Sequence, residues 1–261
     1  MDTKENKVVS QGDYVRANQK DIKKIIDSCK NRNFEVYDFS KGSTYGKAIH
    51  DLRQAFKKGE CNAQPLFVKD NGRKVVRPLT FKETIEKRVN DYNVLENPDG
   101  SKRTEEKRLR LFNVYLDSCT GIANKKNSKK FKIVPVCKEL ILIDKNFNDA
   151  YLPVDYNSIG GNVVDGSKGK FNQLLTEREV LNNAGWIEAL EGDKALLKEY
   201  SGIVYSLRDK GSKLMAFRVN ENTSEDQLRA LCLDSIGSYS NAGCSSILSV
   251  SGRLLWVAQR K

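Results

Sequence analysis

The spacing of apolar and polar residues predicts helices in the first third of the chain. In residues 11–32 the apolar positions recur at helical intervals, and the same spacing returns in residues 43–57, where Ser43 is placed as an N-cap. Thr80 and Glu83 have the spacing of a capping box, in which each residue satisfies a main-chain N–H of the other. This pair predicts the start of a third helix.

A second group of helices is predicted further along the chain. Thr104 is expected to begin one whose inward-facing residues are Leu109, Phe112, Tyr115, Leu116 and Cys119. Thr176 and Glu179 form a second capping box, which predicts another helix start. Two more helices are expected in residues 193–207 and 224–231.

Strands are predicted where β-prone or continuously apolar stretches are bounded by turn residues. Two short β-prone stretches flank Asp70-Asn71-Gly72, and glycine there supplies the positive φ that a tight hairpin turn requires. The apolar run 131–143 indicates one or two buried strands, and the glycine-rich residues 157–170 indicate a loop. The other predicted strands are residues 214–219, 246–250 and 254–258.

This mixture predicts an α+β protein, because the strands do not alternate regularly with the helices. The chain has 261 residues, 39% of them hydrophobic and 30% charged, which is typical of a globular protein with a substantial core. The polar N-terminus lacks the apolar stretch of a secretory signal, and no apolar run reaches the roughly 18 residues of a membrane helix. A cytoplasmic location is therefore the default expectation.

The residues typical of catalytic and metal sites are sparse. His50 is the single histidine, which argues against a zinc site with two imidazoles and against a histidine-based triad. The six cysteines have no CxxC spacing and are expected to be buried free thiols. Gly161 and Gly166 have the spacing of a phosphate-binding loop, but Ser167 replaces the required lysine. The sequence predicts no enzyme, no cofactor and no metal.

The net charge of +11 is concentrated in residues 101–132, where ten basic residues stand against three acidic ones. Such a region could meet phosphates, so nucleic-acid binding through Lys125, Lys126, Lys129 and Lys130 is an alternative function. A solvated lysine-rich loop is the simpler interpretation, because Phe131 is the one aromatic residue beside these lysines that could stack on a base.

The composition changes sharply in residues 228–255, which we call the serine-rich segment. The chain contains 57 Lys, Glu, Gln, Met and Trp residues, so about six would be expected in this segment, and it contains none. Seven serines occur in residues 234–251, together with Tyr239 and Asn241. Serine, tyrosine, glycine and asparagine are typical of adaptable binding surfaces. An ordinary serine- and glycine-rich surface loop is the alternative interpretation.

Two motifs carry a resemblance to a known family. Residues 174–180, LLTEREV, are similar to the L-P-T-E-x-E-W element of the formylglycine-generating-enzyme branch of C-type lectin-like folds. Residues 251–258, SGRLLWVA, resemble the glycine-turned strand that ends that fold. The resemblance implies a C-type lectin-like domain with a helical N-terminal elaboration and a central terminal strand, residues 254–258. Cys232 and Cys244 do not match the catalytic cysteine pair of the enzymes, so formylglycine chemistry is not expected.

With the serine-rich segment between these motifs, the chain resembles the variable proteins of diversity-generating retroelements, particularly archaeal ones. These systems rewrite adenines in codons of a C-terminal variable region. Asparagine codons AAC or AAT, rewritten at both adenines, can encode every residue type except Lys, Glu, Gln, Met and Trp. These are the five types that the serine-rich segment lacks.

The resemblance implies a non-enzymatic protein that displays a diversified surface to varied protein or surface ligands. It divides the chain into a helical segment, residues 1–62, and a C-type lectin-like domain, residues 63–261. Tyr239 is the best single anchor, because tyrosine is frequent among interface hot spots. The solvent-facing, ligand-binding positions are expected to be Cys232, Asp234, Ser235, Ser238, Tyr239, Ser240, Asn241, Cys244, Ser245, Ser246, Leu248 and Ser249.

Overall fold

The fold combines one large sheet with helices on both of its faces. The computed structural model describes residues 44–58, 65–97, 99–113, 115–207, 212–236 and 240–244. Its α-helices are α1 (Tyr45–Lys57), α2 (Phe81–Asn93), α3 (Glu105–Leu109), α4 (Lys138–Ile141), α5 (Glu177–Val180), α6 (Ala184–Ala189) and α7 (Lys194–Ser206), and Gly166–Lys168 forms a short 3-10 helix. Its strands are β1 (Leu66–Asp70), β2 (Arg73–Arg77), β3 (Leu116–Asn124), β4 (Lys130–Val134), β5 (Leu152–Pro153), β6 (Asn162–Asp165), β7 (Phe217–Arg218), β8 (Gln227–Leu233) and β9 (Ala242–Gly243).

Within the described residues the main sheet has seven strands, and β3 and β8 lie at its centre. The strand order is β6-β4-β3-β8-β9-β7, with β5 also paired to β8, while β1 and β2 form a separate hairpin. All pairings are antiparallel except that of β7 with β9. Every residue of β3 is buried. A central strand covered on both faces needs no polar side, so its sequence shows little alternation.

Two hydrophobic clusters cover the two faces of this sheet. Ile122 and Leu231 lie in the larger cluster, which includes side chains of α2, α6 and α7. Ala123 and Ala230, which neighbour them along β3 and β8, lie in the smaller cluster with α1 and residues 137–159. Successive residues of a strand point to opposite faces, so the two central strands contribute to both clusters.

The start of α2 is fixed to an irregular part of β3. The pairing of β3 with β8 shifts register between Asp117 and Gly121. In this bulge the hydroxyl of Thr120 accepts a hydrogen bond from the main-chain N–H of Phe81 at 2.9 Å and donates to the Pro135 carbonyl at 2.8 Å. The contact fixes α2 across the sheet, and it thereby sets where Arg88, two turns further on, meets the end of β8.

Several sequence predictions are confirmed. The hairpin turns at Asn71 and Gly72 with φ of 45° and 78°, and both predicted capping boxes form. Helix α7 begins after Asp193, whose carboxylate accepts a hydrogen bond from the Leu196 N–H at 3.0 Å. Helix α1 has the predicted end but is capped by Thr44, the residue after Ser43. These features depend on local chemistry, which explains why a local pattern reveals them.

Other predictions are wrong or are confirmed only in part. The helix from Thr104 ends at Leu109, and Leu116 and Cys119 belong to β3. Residues 224–231 are predicted as a helix, but residues 227–231 belong to β8. Strands buried on both faces have no polar alternation, so helical spacing arises in them by chance. Residues 131–143 contain β4 and α4, the predicted loop 157–170 contains β6, and the predicted strand 214–219 is confined to β7.

Some predictions fall outside the described residues. These are the helix at 11–32 and the strands at 246–250 and 254–258. The division of the chain at residue 62 stays a prediction. In the described part of that first segment, Tyr45, Ala48 and Ile49 of α1 are buried in the smaller cluster, and the Tyr45 hydroxyl donates to the Ser118 carbonyl at 2.9 Å.

We expect Thr176→Ala to lower the free energy of unfolding by about 1 kcal/mol, because it removes the hydroxyl that accepts a hydrogen bond from the Glu179 N–H. Denaturant unfolding measures the change. Thr176→Ser keeps the oxygen and is the matched control, with little expected loss. An equal loss in both variants would show that the methyl group, rather than the cap, stabilises the helix.

Candidate functional site at the end of the central strand

The serine-rich segment begins inside the central strand of the sheet. Its residues 228–236 and 240–244 are described, and residues 228–233 lie in β8. The chain leaves β8 after Leu233 and returns as β9, which pairs with the end of β8 through Cys232 with Gly243 and Leu233 with Ala242. We call the part of the chain between β8 and β9 the excursion. Its two described ends therefore lie side by side, a geometry in which a rigid scaffold holds both ends of a connecting segment.

Main-chain hydrogen bonds fix these two ends to each other and to the scaffold. The Asp234 N–H donates to the Asn241 carbonyl at 2.8 Å, which joins the outgoing and returning chains. The remaining bonds join the segment to neighbouring parts of the protein. They are Ile236 N–H to the Phe112 carbonyl at 2.8 Å, Ser240 N–H to Leu214 at 3.2 Å, Ala242 N–H to Ala216 at 3.0 Å and Cys244 N–H to Arg218 at 3.2 Å.

A buried polar network lies beneath the point where the chain leaves β8. Arg88 of α2 is fully buried and donates to the Asp234 carbonyl at 3.1 Å and to the Tyr200 hydroxyl at 3.0 Å. The Tyr200 hydroxyl also lies 2.7 Å from the Ser240 hydroxyl on the returning chain. Phe112 stacks on the Tyr200 ring with centroids 5.5 Å apart, and the Arg88 guanidinium lies 5.7 Å from the Phe112 centroid. The network therefore reaches both ends of the excursion.

Burial shifts the pKa values of the charged groups in this network. It raises the pKa of the Asp234 carboxyl, although the Asn241 side-chain N–H, which donates to that carboxyl at 3.1 Å, and the nearby Arg88 act in the opposite direction. Burial also lowers the pKa of Arg88. A buried charge is costly unless hydrogen bonds replace its hydration, and the oxygen atoms around Arg88 provide such bonds.

The cysteines of the segment are buried thiols. Burial raises the pKa of Cys232 well above its usual value and also raises that of Cys244. The Cys232 thiol donates to the Gly243 carbonyl at 2.9 Å. Cys119 and Cys137 are buried as well, and burial raises the pKa of Cys119 to about 12. Thiols in such surroundings stay protonated at neutral pH and are poor nucleophiles.

The structure divides the sequence-predicted site residues into two groups. Ser238, Tyr239, Ser245, Ser246, Leu248 and Ser249 lie outside the described residues. Asp234 is half-buried, and the remaining five are buried, namely Cys232, Ser235, Ser240, Asn241 and Cys244. The expectation that these five face solvent is wrong, because they lie where β8 and β9 pair and where the returning chain packs against the scaffold. Ligand contact by the predicted residues stays a prediction.

Sequence reasoning missed Arg88 and Tyr200, which support the segment from two different helices. A signal for Arg88 was present, since it shares the buried helical face of Phe81 and Ile85. A charged residue on an otherwise apolar face indicates a buried partner. Its partner could not be inferred, because Asp234 lies 146 residues further along the chain.

The basic region contains two different environments. Arg103 and Arg110 are buried around Asp91, with the closest Arg110 contact at 2.7 Å, and these arginines contribute to the fold. The Lys132 ammonium donates to the carbonyls of Tyr156 and Ile159 at 2.9 and 2.6 Å. Lys125, Lys126, Lys129 and Lys130 lie at and beside the β3–β4 turn, where Lys129 pairs with Glu221 at 3.6 Å. Nucleic-acid binding through these four lysines stays a prediction.

Two features are absent from the described residues. Within them no group of three or more His, Cys, Asp and Glu side chains is placed to hold a metal ion. None of the helices in those same ranges combines the length and the apolar character needed to cross a membrane.

Comparison with known proteins identifies the fold. No family model matches the chain, and no curated protein matches it. A solved structure described as "Accommodation of massive sequence variation in Nanoarchaeota by the C-type lectin fold" covers 88% of this chain and 99% of its own, with a TM-score of 0.53 and 14% identity. The chain has a C-type lectin fold. At this identity the likeness shows the fold alone, and it confirms the predicted fold class.

The raised pKa of Asp234 predicts how stability depends on pH. The folded protein binds a proton on this carboxyl more tightly than the unfolded chain, whose aspartates titrate near 3.9. The contribution of Asp234 is therefore most favourable below about pH 3.9 and decreases as the pH rises through the folded pKa. We expect Asp234→Asn to be more stable than wild type at about pH 7, and this advantage should shrink toward about pH 4.

Urea unfolding of both proteins across this pH range measures the difference. Asp226→Asn is a control of opposite sign. The pKa of Asp226 is lowered because, despite burial, its carboxylate accepts main-chain hydrogen bonds from Lys126 and Tyr156 at 2.7 and 3.0 Å. This control should lose stability at neutral pH. A pH-independent difference between wild type and Asp234→Asn would contradict the prediction.

Proposed function

We propose that this chain is a non-enzymatic ligand-binding protein, and that a diversity-generating retroelement rewrites its serine-rich segment to vary the ligand. The observation that carries the proposal is a coincidence of composition and position. The stretch without Lys, Glu, Gln, Met and Trp, residues 228–255, begins at the second residue of β8 and includes the exit of the chain from β8 and its return as β9. Adenine-directed rewriting of asparagine codons cannot encode those five residue types.

The fold supports the proposal independently of the composition. The structurally similar protein is described as a C-type lectin fold that accommodates massive sequence variation in Nanoarchaeota, and we extend that property to this chain. A scaffold for varied side chains must hold the ends of the varied segment without relying on those side chains. Here β8 and β9 pair with each other, and main-chain bonds to Phe112 and Leu214 hold the connecting chain.

The chemistry of the segment favours binding over catalysis. Cys232 and Cys244 are buried, and their raised pKa values keep both thiols protonated at neutral pH. Serine, tyrosine and asparagine supply hydrogen bonds and contact area at low cost in conformational entropy. We therefore propose that the segment recognises exposed surfaces of proteins or other large ligands and leaves them chemically unchanged.

The proposal predicts a particular arrangement in the DNA. A near-copy of the codons for residues 228–255 should lie close to this gene, together with a gene for a reverse transcriptase. Wherever the two copies differ, the near-copy should carry adenine. Sequencing the surrounding DNA tests this directly, and the absence of both the near-copy and the reverse transcriptase would overturn the retroelement part of the proposal.

The proposal also predicts two stability classes within the segment. Ser240→Ala should lower the free energy of unfolding by about 1 kcal/mol, because it leaves the buried Tyr200 hydroxyl without one of its partners. Ser238→Ala and Tyr239→Ala, at the proposed display positions, should change it by about 0.5 kcal/mol or less. Denaturant unfolding of the three variants provides the comparison, and a loss of several kcal/mol for Tyr239→Ala would assign Tyr239 to the core.

A further inference from the structure

Arg88 is a buried cation with an unusual set of acceptors. Its side chain has no measurable solvent exposure. One of its terminal nitrogens donates to the main-chain carbonyl of Asp234 at 3.1 Å and to the hydroxyl of Tyr200 at 3.0 Å, and the other lies 3.5 Å from the carbonyl of Leu233. These three acceptors are neutral oxygens, and the two carbonyls belong to the chain as it leaves β8.

A hydrogen bond to a main-chain carbonyl responds to substitution differently from a hydrogen bond to a side chain. Every residue type has the same carbonyl oxygen, so a bond to it survives any substitution that leaves the backbone path unchanged. Asp234 illustrates the point, because Arg88 binds its carbonyl while the Asn241 side chain binds its carboxylate. A change at position 234 therefore removes the contact with Asn241 and leaves the contact with Arg88 in place.

Other hydrogen bonds between the segment and the scaffold follow the same principle. The N–H groups of Ile236, Ser240 and Ala242 donate to scaffold carbonyls, and the Ser118 hydroxyl donates to the Leu231 carbonyl at 2.6 Å. Tyr200, which accepts from Arg88, connects this network to the returning chain at Ser240. Arg88 thus occupies the centre of a set of contacts made largely with main-chain atoms.

We infer that Arg88 is a positioning residue that holds the serine-rich segment at its exit from β8, and that its hold does not depend on the side chains that the segment carries. The biological purpose of this hold rests on the proposed function, since a fixed exit matters most for a segment whose sequence changes. The way in which Arg88 holds the segment does not rest on that function, because it follows from hydrogen bonds to main-chain oxygens.

Arg103 is a matched control for a general effect of removing a buried arginine. It is also buried, and it donates to the main-chain carbonyls of Asp91 at 2.6 Å, Val94 at 3.2 Å and Lys107 at 2.7 Å. Those carbonyls lie in residues 91–107, outside the serine-rich segment. Replacing either arginine should destabilise the whole protein, but only Arg88 should loosen the segment selectively.

Native-state amide hydrogen exchange of the full chain, followed by NMR, separates the two effects. The readout is the exchange rate of the Asp234, Ile236 and Ser240 amides divided by that of amides in the β3–β4 pairing. We expect Arg88→Lys and Arg88→Met to raise this ratio by about tenfold or more, because a local opening becomes easier than global unfolding. Arg103→Lys should leave the ratio within about threefold of wild type.

An unchanged ratio in both Arg88 variants, or the same increase with Arg103→Lys, would overturn the inference, since Arg88 would then act as an ordinary core residue. Should neither Arg88 variant fold, Tyr200→Phe takes their place. It removes one acceptor of Arg88 and the partner of Ser240, while the ring can still stack on Phe112. Selective acceleration at Asp234 and Ile236, whose amides donate to Asn241 and Phe112 and not to Tyr200, is then expected, and a ratio equal to wild type at these two amides would contradict the inference.

A separate experiment tests whether the hold of Arg88 is independent of the side chains of the segment. Asp234→Ser, Asp234→Asn and Asp234→Ala should give exchange ratios at Ile236 and Ser240 within about threefold of one another when Arg88 is present, and they should diverge in the Arg88→Lys background. Divergence with Arg88 present would show that side chains, rather than main-chain bonds, hold the exit. These results do not depend on any ligand or template repeat, so failure here and failure of the proposed function are distinguishable.

Discussion

The antiparallel pairing of β3 with β8 is the interaction on which the rest of this structure depends. The two strands come from residues 116–124 and 227–233, and together they contribute side chains to both hydrophobic clusters. Removing this pairing would separate the two faces of the core and also release the start of the serine-rich segment. The stability of the fold and the position of the segment therefore rely on the same hydrogen-bonded pair of strands.

The polar network at the end of β8 shows how the core and the serine-rich segment meet. A buried guanidinium is unfavourable unless hydrogen bonds replace its hydration, and carbonyl and hydroxyl oxygens accept such bonds from the terminal nitrogens of Arg88. Phe112 stacks on the Tyr200 ring beside the Arg88 guanidinium. Buried surroundings strengthen these hydrogen bonds, which fix the exit of the chain from the sheet.

The described part of the serine-rich segment is more buried than its composition predicts. Composition alone treats Ser235, Ser240 and Asn241 as equivalent to Ser238 and Tyr239. In the structure the first three are buried. A serine hydroxyl is small and can both donate and accept, so it suits a buried network as well as a binding surface. Composition therefore cannot separate an anchoring position from a displayed one.

Local features followed from the sequence because their physics is local. The capping boxes at Thr80 and Thr176, the turn at Asn71 and Gly72, and the unusual composition of residues 228–255 each involve residues close together in the chain. Together with the two resembling motifs, they were sufficient to predict an α+β, C-type lectin-like fold.

Tertiary structure alone decided that residues 227–233 form a strand, and that Arg88 lies beneath the exit of that strand. A strand buried on both faces loses the alternation by which a sequence reveals it. The partners of Arg88 lie more than a hundred residues away along the chain. The sequence by itself determined which residue types the segment contains, and packing determined which of them are buried, because burial depends on contacts between distant parts of the chain.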